Sequence, residues 1–162
     1  MSDGQFAWNT AEIDSILTLS ELQALRGGYD GDWMNRAARA TVAGSFHAAL
    51  PLENLLIQTF STAPFPTEIP PKDRERVLIA VLCTTSPTSF NLAVHFYWGL
   101  MVGMEPGEIA WTLLLTGFYS GISHFSSALV LLVKTLHVLK ASASEKTQSE
   151  AVLAALTSAL AS

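Results

Sequence analysis

The chain has 162 residues, of which 49% are hydrophobic and only 14% charged, and its formal net charge is −5. This length predicts one domain with a substantial core. A charged fraction below the roughly 25% of ordinary globular proteins predicts a partly apolar surface that meets another subunit or a membrane. The net negative charge, without a basic patch to displace counterions, argues against nucleic acid as a partner.

Helical patterns fill the N-terminal residues 1–60. From Thr10 onward, apolar side chains recur at helical spacing, which predicts one helix that the glycine pair at 27–28 ends. The Asp-Gly-Asp segment at 30–32 begins a second long helix, and a short third helix is predicted over 52–60. A proline-rich connector follows, which favours an extended chain.

Four further helices are predicted in the central stretch and its flanks, separated by proline and glycine: 72–83, 88–102, 106–119 and 122–140. The residues after 140 predict a linker and then either a terminal apolar-faced helix or a frayed tail. No segment shows the alternation typical of a strand. The sequence therefore predicts an all-α single domain over 1–162, with its core at 69–139 and a C-terminal part at 140–162.

Two long uncharged runs lie in the central stretch, one between Arg76 and Glu105 and one between Glu108 and Lys134. Each is longer than the ~20 residues that span a bilayer. Both contain several hydroxyl side chains, and neither is flanked by the Lys/Arg excess that orients a membrane helix. The first residues also lack the basic and apolar regions of a secretory signal. We therefore expect a cytoplasmic protein without a membrane span.

An ordered set of motif residues is spaced from one histidine. An Arg-Glu pair opens a buried helix, a small residue and a glycine follow the histidine by four and eight places, and Glu-Ile and Tyr-x-Gly come later. The residues are Arg74, Glu75, His95, Gly99, Gly103, Glu108, Ile109, Tyr119, Gly121 and Ala128. In this set the chain resembles the carboxymuconolactone decarboxylase and AhpD-like alkylhydroperoxidase superfamily, over residues 69–139. The resemblance implies a bundle of about six to eight helices and a homo-oligomer, a trimer or a hexamer.

The departures from that pattern bear on the chemistry. The peroxidase branch of the superfamily carries Cys-x-x-Cys-x-x-x-His, whereas Thr88 and Asn91 occupy the two cysteine positions here. The chain's one cysteine, Cys83, lies too far back to replace them, so a thiol peroxidase is not expected. The decarboxylase branch has an aromatic-Glu-Leu-x-x-His pattern, in which Asn91 replaces the glutamate. An amide cannot take up a proton at neutral pH, which indicates a divergent member with its own substrate.

His95 is the candidate catalytic residue, because an imidazole can take and give a proton near neutrality. The resemblance places Glu75 where a helix glutamate points toward that histidine, as a proton relay or an orienting partner. The structural alternative for His95 is a buried histidine hydrogen-bonded to a backbone carbonyl. For Glu75 the alternatives are an exposed first-turn glutamate that balances the helix dipole, or a salt bridge to Arg74 or Arg76. Candidate substrate-binding residues are Asn91, Tyr97, Trp111, Tyr119 and His124.

Two functions remain open at this point. The first is a cofactor-independent acid/base enzyme that decarboxylates, isomerises or cyclises a small apolar carbonyl-bearing metabolite. The second is a non-catalytic apolar-ligand-binding or oligomeric partner protein that keeps the fold. No phosphate loop, nucleophile elbow or metal-ligand spacing is present, so no cofactor and no metal are expected.

Overall fold

The computed structural model describes residues 9–37, 69–145 and 147–160. Within these ranges the protein is all-α, as the sequence predicts, and contains helices but no strand. The predicted helix over 52–60, most of the proline-rich connector, and the later part of the helix that begins at Gly31 lie outside the described residues. The helices are α1 (Ala11–Ile16), α2 (Leu19–Gly28), α3 (helical over 31–37), α4 (Pro71–Thr85), α5 (Phe90–Met101), α6 (Pro106–Ser120), α7 (Ile122–Glu145) and α8 (Ser149–Leu160).

The single N-terminal helix that the apolar spacing predicts is wrong, because the chain breaks it into α1 and α2. Leu17 is extended, with φ −119° and ψ 106°. Thr18 then caps α2: its hydroxyl accepts from the Glu21 amide at 3.3 Å, and the Glu21 carboxylate accepts from the Thr18 amide at 2.7 Å. This reciprocal capping box satisfies donors that a new helix start leaves unpaired, and it makes the break favourable.

The boundaries of the central helices follow proline, serine and glycine, as predicted. Pro71 is the first residue of α4, and the Ser89 hydroxyl accepts from the Leu92 amide at 3.3 Å to cap α5. Gly103 and Gly121 follow α5 and α6 with φ of +105° and +110°, a backbone region that L side chains rarely adopt.

The C-terminal part is more regular than predicted. The Ala-Ser-Ala-Ser-Glu segment, expected as a linker, continues α7 to Glu145. The residues from Ser149 then form the terminal helix α8, which packs on α5 and α7 and buries Val152 and Leu156 completely. Burial of this apolar face explains why α8 is a helix and not a frayed tail.

The hydrophobic core is centred on α5, whose residues Leu92, Ala93, Phe96, Tyr97 and Leu100 are fully buried. Helix α5 packs against α2, α4, α7 and α8. The core around it therefore fixes the direction of every side chain that α5 carries.

One helix in the described part of the chain, α7, is long and apolar enough to cross a membrane, with a mean hydropathy of 1.5 over its most apolar window and 33% of that window buried. A core helix of a compact domain meets the same criterion. In this structure α7 packs against α1, α2, α4, α5, α6 and α8.

Side chains from the N-terminal helices close the ends of two central helices. The Asp14 carboxylate of α1 accepts from the Gly107 amide at 2.7 Å, in the first turn of α6. The Arg26 guanidinium of α2 donates to the Leu100 and Met104 carbonyls, at 2.9 and 3.0 Å, where α5 ends. A carboxylate at a helix start and a cation at a helix end both complement the helix dipole. These bonds hold the N-terminal helices on the core.

Candidate functional site

Glu75 and His95 lie side by side, although 20 residues separate them in sequence. The Glu75 Oε2 atom is 2.8 Å from the His95 Nδ1 atom. Glu75 is buried, with 1% of its surface exposed, while the His95 side chain is 20% exposed. An ionised carboxylate can only accept a hydrogen bond, so in that pair Nδ1 carries the proton and donates it. In a neutral imidazole, Nε2 is then the nitrogen that can accept a proton.

The packing of α4 against α5 brings this pair together. Glu75 lies on the buried stripe of α4, one and two turns before Ile79 and Cys83. Gly99, one turn after His95, allows the close approach: a Cβ there would be 3.0 Å from the Met104 Sδ atom and 3.3 Å from the Ile79 Cδ1 atom. The small residue four places after the histidine therefore has a packing role in this chain.

Arg74 adds a positive charge beside the buried carboxylate. Its Nε atom lies 3.4 Å from the Glu75 Oε1 atom, and its side chain is partly exposed. One Glu75 oxygen thus faces an arginine and the other faces the imidazole. Glu75 therefore contacts both an arginine and the imidazole, while its role as a proton relay or orienting partner stays a prediction.

An aromatic ring stacks on the imidazole. The Trp98 ring stacks on the His95 ring, with centroids 5.9 Å apart and planes 18° from parallel. Since Trp98 is one turn from His95 on the same helix, this stacking fixes the ring plane while the carboxylate fixes its rotation. The imidazole is held from two directions.

Tyr29 is the residue at this site that the sequence did not indicate. It caps the C-terminal end of α2, and its ring meets the Tyr97 ring edge to face, with centroids 6.0 Å apart. Burial is the main cause that raises the pKa of Tyr29, and the neighbouring Tyr97 and Glu75 raise it further. A hydrogen bond with Trp98 and the charge of Arg74 lower this pKa by less. The Tyr29 phenol is therefore a neutral group near the Glu75 carboxylate at physiological pH. It lies outside the stretch that carries the motif residues, so no spacing from His95 could have found it.

Tyr97, a predicted substrate-binding residue, lies behind the site in the core. It is fully buried, and its hydroxyl donates to the Ser149 Oγ atom of α8 at 3.4 Å. The same Ser149 oxygen accepts from the Asp30 amide at 2.8 Å. Burial raises the pKa of Tyr97, against the effect of the Ser149 bond. Tyr97 contacts Tyr29 and not solvent, so in this structure it supports the site from within.

Among the other predicted substrate-binding residues, no hydrogen bond, ion pair or ring contact within the described part of the chain joins Asn91, Tyr119 or His124 to the pair. Asn91 is exposed in the first turn of α5. Tyr119 and Trp111 are 95% and 40% exposed on α6. His124 lies in the first turn of α7, as predicted, and its Nδ1 atom is buried without a hydrogen-bond partner in the described part of the chain. Their roles as substrate contacts stay predictions.

Two shallow grooves open on the described surface. One, of about 530 Å³, lies between α7 and α8 and is lined by His137, Ala141, Glu145 and Ala151 among others. The other, of about 380 Å³, lies between α4 and α6 beside Tyr119. Neither is lined by Glu75, His95 or His124, and 20% of the His95 side chain is open to solvent. In the ranges 9–37, 69–145 and 147–160, no three His, Cys, Asp or Glu side chains cluster as metal ligands.

Comparison with known proteins gives no match: no family model, no curated protein and no solved structure is similar to this chain. The superfamily resemblance therefore depends on the motif residues themselves and stays a prediction.

Proposed function

We propose that this protein is a cofactor-independent acid/base enzyme, a divergent member of the carboxymuconolactone decarboxylase and AhpD-like superfamily. The observation that carries the proposal is the 2.8 Å hydrogen bond between the buried Glu75 carboxylate and His95. The motif resemblance had assigned proton transfer to these same two residues. A buried carboxylate bonded to a partly exposed imidazole is a common arrangement for a general base.

In this proposal His95 moves the proton and Glu75 positions it. The Nδ1–H bond to Glu75 fixes the tautomer that leaves Nε2 as the base, and the carboxylate stabilises the imidazolium once Nε2 has been protonated. Stacking on Trp98 limits rotation of the ring. The neutral Tyr29 hydroxyl is a hydrogen-bond donor for an oxygen on which negative charge develops.

The Glu75–His95 pair and the Tyr29 hydroxyl suit reactions of a small apolar, carbonyl-bearing substrate. In an isomerisation, His95 Nε2 takes a proton from a carbon beside the carbonyl, the electron pair moves into the enolate, and the same proton returns at another carbon. In a decarboxylation, the carbon–carbon bond electrons pass to the enolate as CO₂ leaves, and the imidazolium protonates the carbon. Neither scheme needs an oxidant or a reductant.

Thiol chemistry is not part of the proposal. Cys83 is completely buried on α4, and burial raises the pKa of its thiol. A reactive thiolate needs an accessible and electropositive environment. The proposal also includes the expected cytoplasmic location and the trimeric or hexameric assembly that the superfamily resemblance implies.

The test is proton exchange at carbon. Purified protein is incubated in D₂O with a panel of β-keto acids and unsaturated lactones, and deuterium incorporation and CO₂ release are followed by NMR. His95→Gln should lower the rate on any turned-over compound by about 10²-fold or more, and Glu75→Gln by about tenfold or more. His137→Gln, at an exposed histidine on α7, is the matched control and should leave the rate unchanged. A reactive compound whose turnover survives His95→Gln would overturn the assignment.

A second proposal, a non-catalytic binding or partner protein, is favoured by one observation: Glu75 and His95 line neither the groove between α7 and α8 nor the groove between α4 and α6. It predicts no exchange above background with any compound in the panel. It also predicts that Glu75→Gln and His95→Gln change stability alone.

A further inference from the structure

Helix α6 has an unusual exposed side. Every exposed residue of the helix is large and apolar: Trp111 is 40%, Leu115 55%, Phe118 70% and Tyr119 95% exposed. Positions 111, 115 and 118 are spaced by four and three residues, and Ile122 continues that spacing just after the helix. This is the spacing of a seam between two packed helices, yet the seam points outward.

Helix α4 extends the same surface. Val77 and Val81, one turn apart, are both more than half exposed. Val81 and Tyr119 line one groove with Ala80 and Thr116, so the exposed sides of α4 and α6 are continuous. We call Val77, Val81, Leu115, Phe118 and Tyr119 the α4–α6 face.

The α4–α6 face is comparable to the largest apolar patch that a typical monomer exposes. Phe118 is 70% and Tyr119 95% exposed, and with aromatic side chains of roughly 150–250 Å² each these two alone present about 300 Å². The three aliphatic residues add to that area, which brings the face to the upper part of the ~300–600 Å² seen for the largest patch of a typical monomer.

The charges beside the face pair with one another. The Lys72 Nζ atom is 2.7 Å and an Arg76 Nη atom 3.6 Å from Glu108 carboxylate oxygens, and Arg76 also binds Asp73 at 2.6 Å. Burial acts to raise the pKa of Glu108, but hydrogen bonds from Lys72 and the Glu105 backbone, with the Lys72 and Arg76 charges, hold that pKa below its ordinary value. The face itself carries no charge of either sign.

We propose that the α4–α6 face binds the same face of a second copy of this chain, across a two-fold axis that sets α6 antiparallel to α6. An uncharged apolar face is complementary to itself, which is what a two-fold contact requires, and antiparallel helices place opposite dipole ends together. A charged partner would find no opposite charge here. An anionic membrane is disfavoured by the net charge of −5. Such a contact exists in a dimer and in a hexamer of paired trimers, but not in a lone trimer.

Sedimentation velocity over a range of concentrations tests the contact. The wild-type chain should sediment as an even-numbered species at micromolar concentration. Leu115→Asp and Phe118→Asp, both at exposed positions, should each raise the dissociation constant by roughly thirtyfold or more, as loss of a central interface residue does. Leu19→Asp is the matched control, since Leu19 is 61% exposed on α2, away from the α4–α6 face, and it should not change the assembly. Circular dichroism melts of all variants separate unfolding from dissociation.

Two further measurements complete the test. Leu115 is the middle one of the exposed positions 111, 115 and 118, so the proposed two-fold axis passes beside it. Leu115→Cys should then form a disulfide between two copies on mild oxidation, because a residue beside a two-fold axis meets its own copy. Flotation with phosphatidylcholine vesicles covers the lipid alternative. Four results would each overturn the proposal. They are a wild-type monomer at about 100 μM, a species of three chains, assembly that survives both aspartate variants, and vesicle binding that those variants abolish.

Discussion

Removing His95 should destabilise the fold, because it would leave the Glu75 carboxylate buried with only a peripheral arginine. A buried polar group that loses its hydrogen-bond partner costs about 1–3 kcal/mol, and a charged group costs more. His95 is one-fifth exposed and Arg74 stays 3.4 Å from Glu75, so we expect about 3 kcal/mol for His95→Leu. With a urea m-value of about 2 kcal/mol per molar, the unfolding midpoint should fall by about 1.5 M.

The double variant distinguishes pairing from simple packing loss. Glu75→Leu with His95→Leu replaces both members of the pair by apolar groups, which is often nearly neutral. The two changes together should therefore cost less than their sum, with a coupling of about 2 kcal/mol in the double-mutant cycle. The control cycle uses the exposed pair Asp73 and Arg76, joined at 2.6 Å, where a coupling below about 1 kcal/mol is expected. Additive effects at Glu75 and His95, or a midpoint change below about 0.3 M for His95→Leu, would refute the reasoning.

Three further outcomes concern other residues. Gly107→Ala would place a methyl group 2.7 Å from the Asp14 carboxylate and should destabilise the protein by about 1–3 kcal/mol. The control is Gly27→Ala, whose added carbon meets nothing within 4 Å and which should be neutral or stabilising by about 0.5 kcal/mol. Equal unfolding midpoints of the two variants in urea would contradict the contact. Folding raises the pKa of Tyr29 above its ordinary value of 10, so the stability of the protein should fall as the pH rises past 10. Tyr29→Phe should reduce this dependence of the melting temperature on alkaline pH. An unchanged dependence would count against the buried phenol. Because folding lowers the pKa of Glu108, its carboxylate contributes to stability above the ordinary value of 4.5 and this contribution is lost as the pH falls below it. Glu108→Gln should therefore make the melting temperature less sensitive to acid. An identical fall of the melting temperature at acid pH in both proteins would contradict the ion pairs.

Much of the helix plan was predictable because its signals are local. Pro71, Gly103 and Gly121 mark boundaries through backbone geometry that no distant contact changes. The break at Leu17 was missed, since the apolar spacing on both sides of it suggested one continuous helix. The Thr18–Glu21 capping box was the available signal, and it outweighed the hydrophobic pattern.

The candidate site, too, was predictable from the sequence only in part. Glu75 and His95 could be paired from the sequence only because the motif resemblance names both, and the structure then gives their distance. Tyr29 could not be found, because its approach to Glu75 depends on how α2 lies against α5. The motif does not indicate exposure either: Tyr119 is 95% exposed on the α4–α6 face, and its contact with a substrate stays a prediction.

The Ser149 hydroxyl has a consequence for the order in which the protein can assemble. It accepts a hydrogen bond from the Asp30 amide, 119 residues earlier in the chain. During synthesis the N-terminal helices must therefore wait for residue 149 before that bond can form. The Tyr97 hydroxyl, buried in the finished core, has no partner until the same moment. Contacts of such long separation slow folding, so a ribosome-bound chain that stops at residue 145 should hold its central helices in a looser, more protease-sensitive state than the full chain.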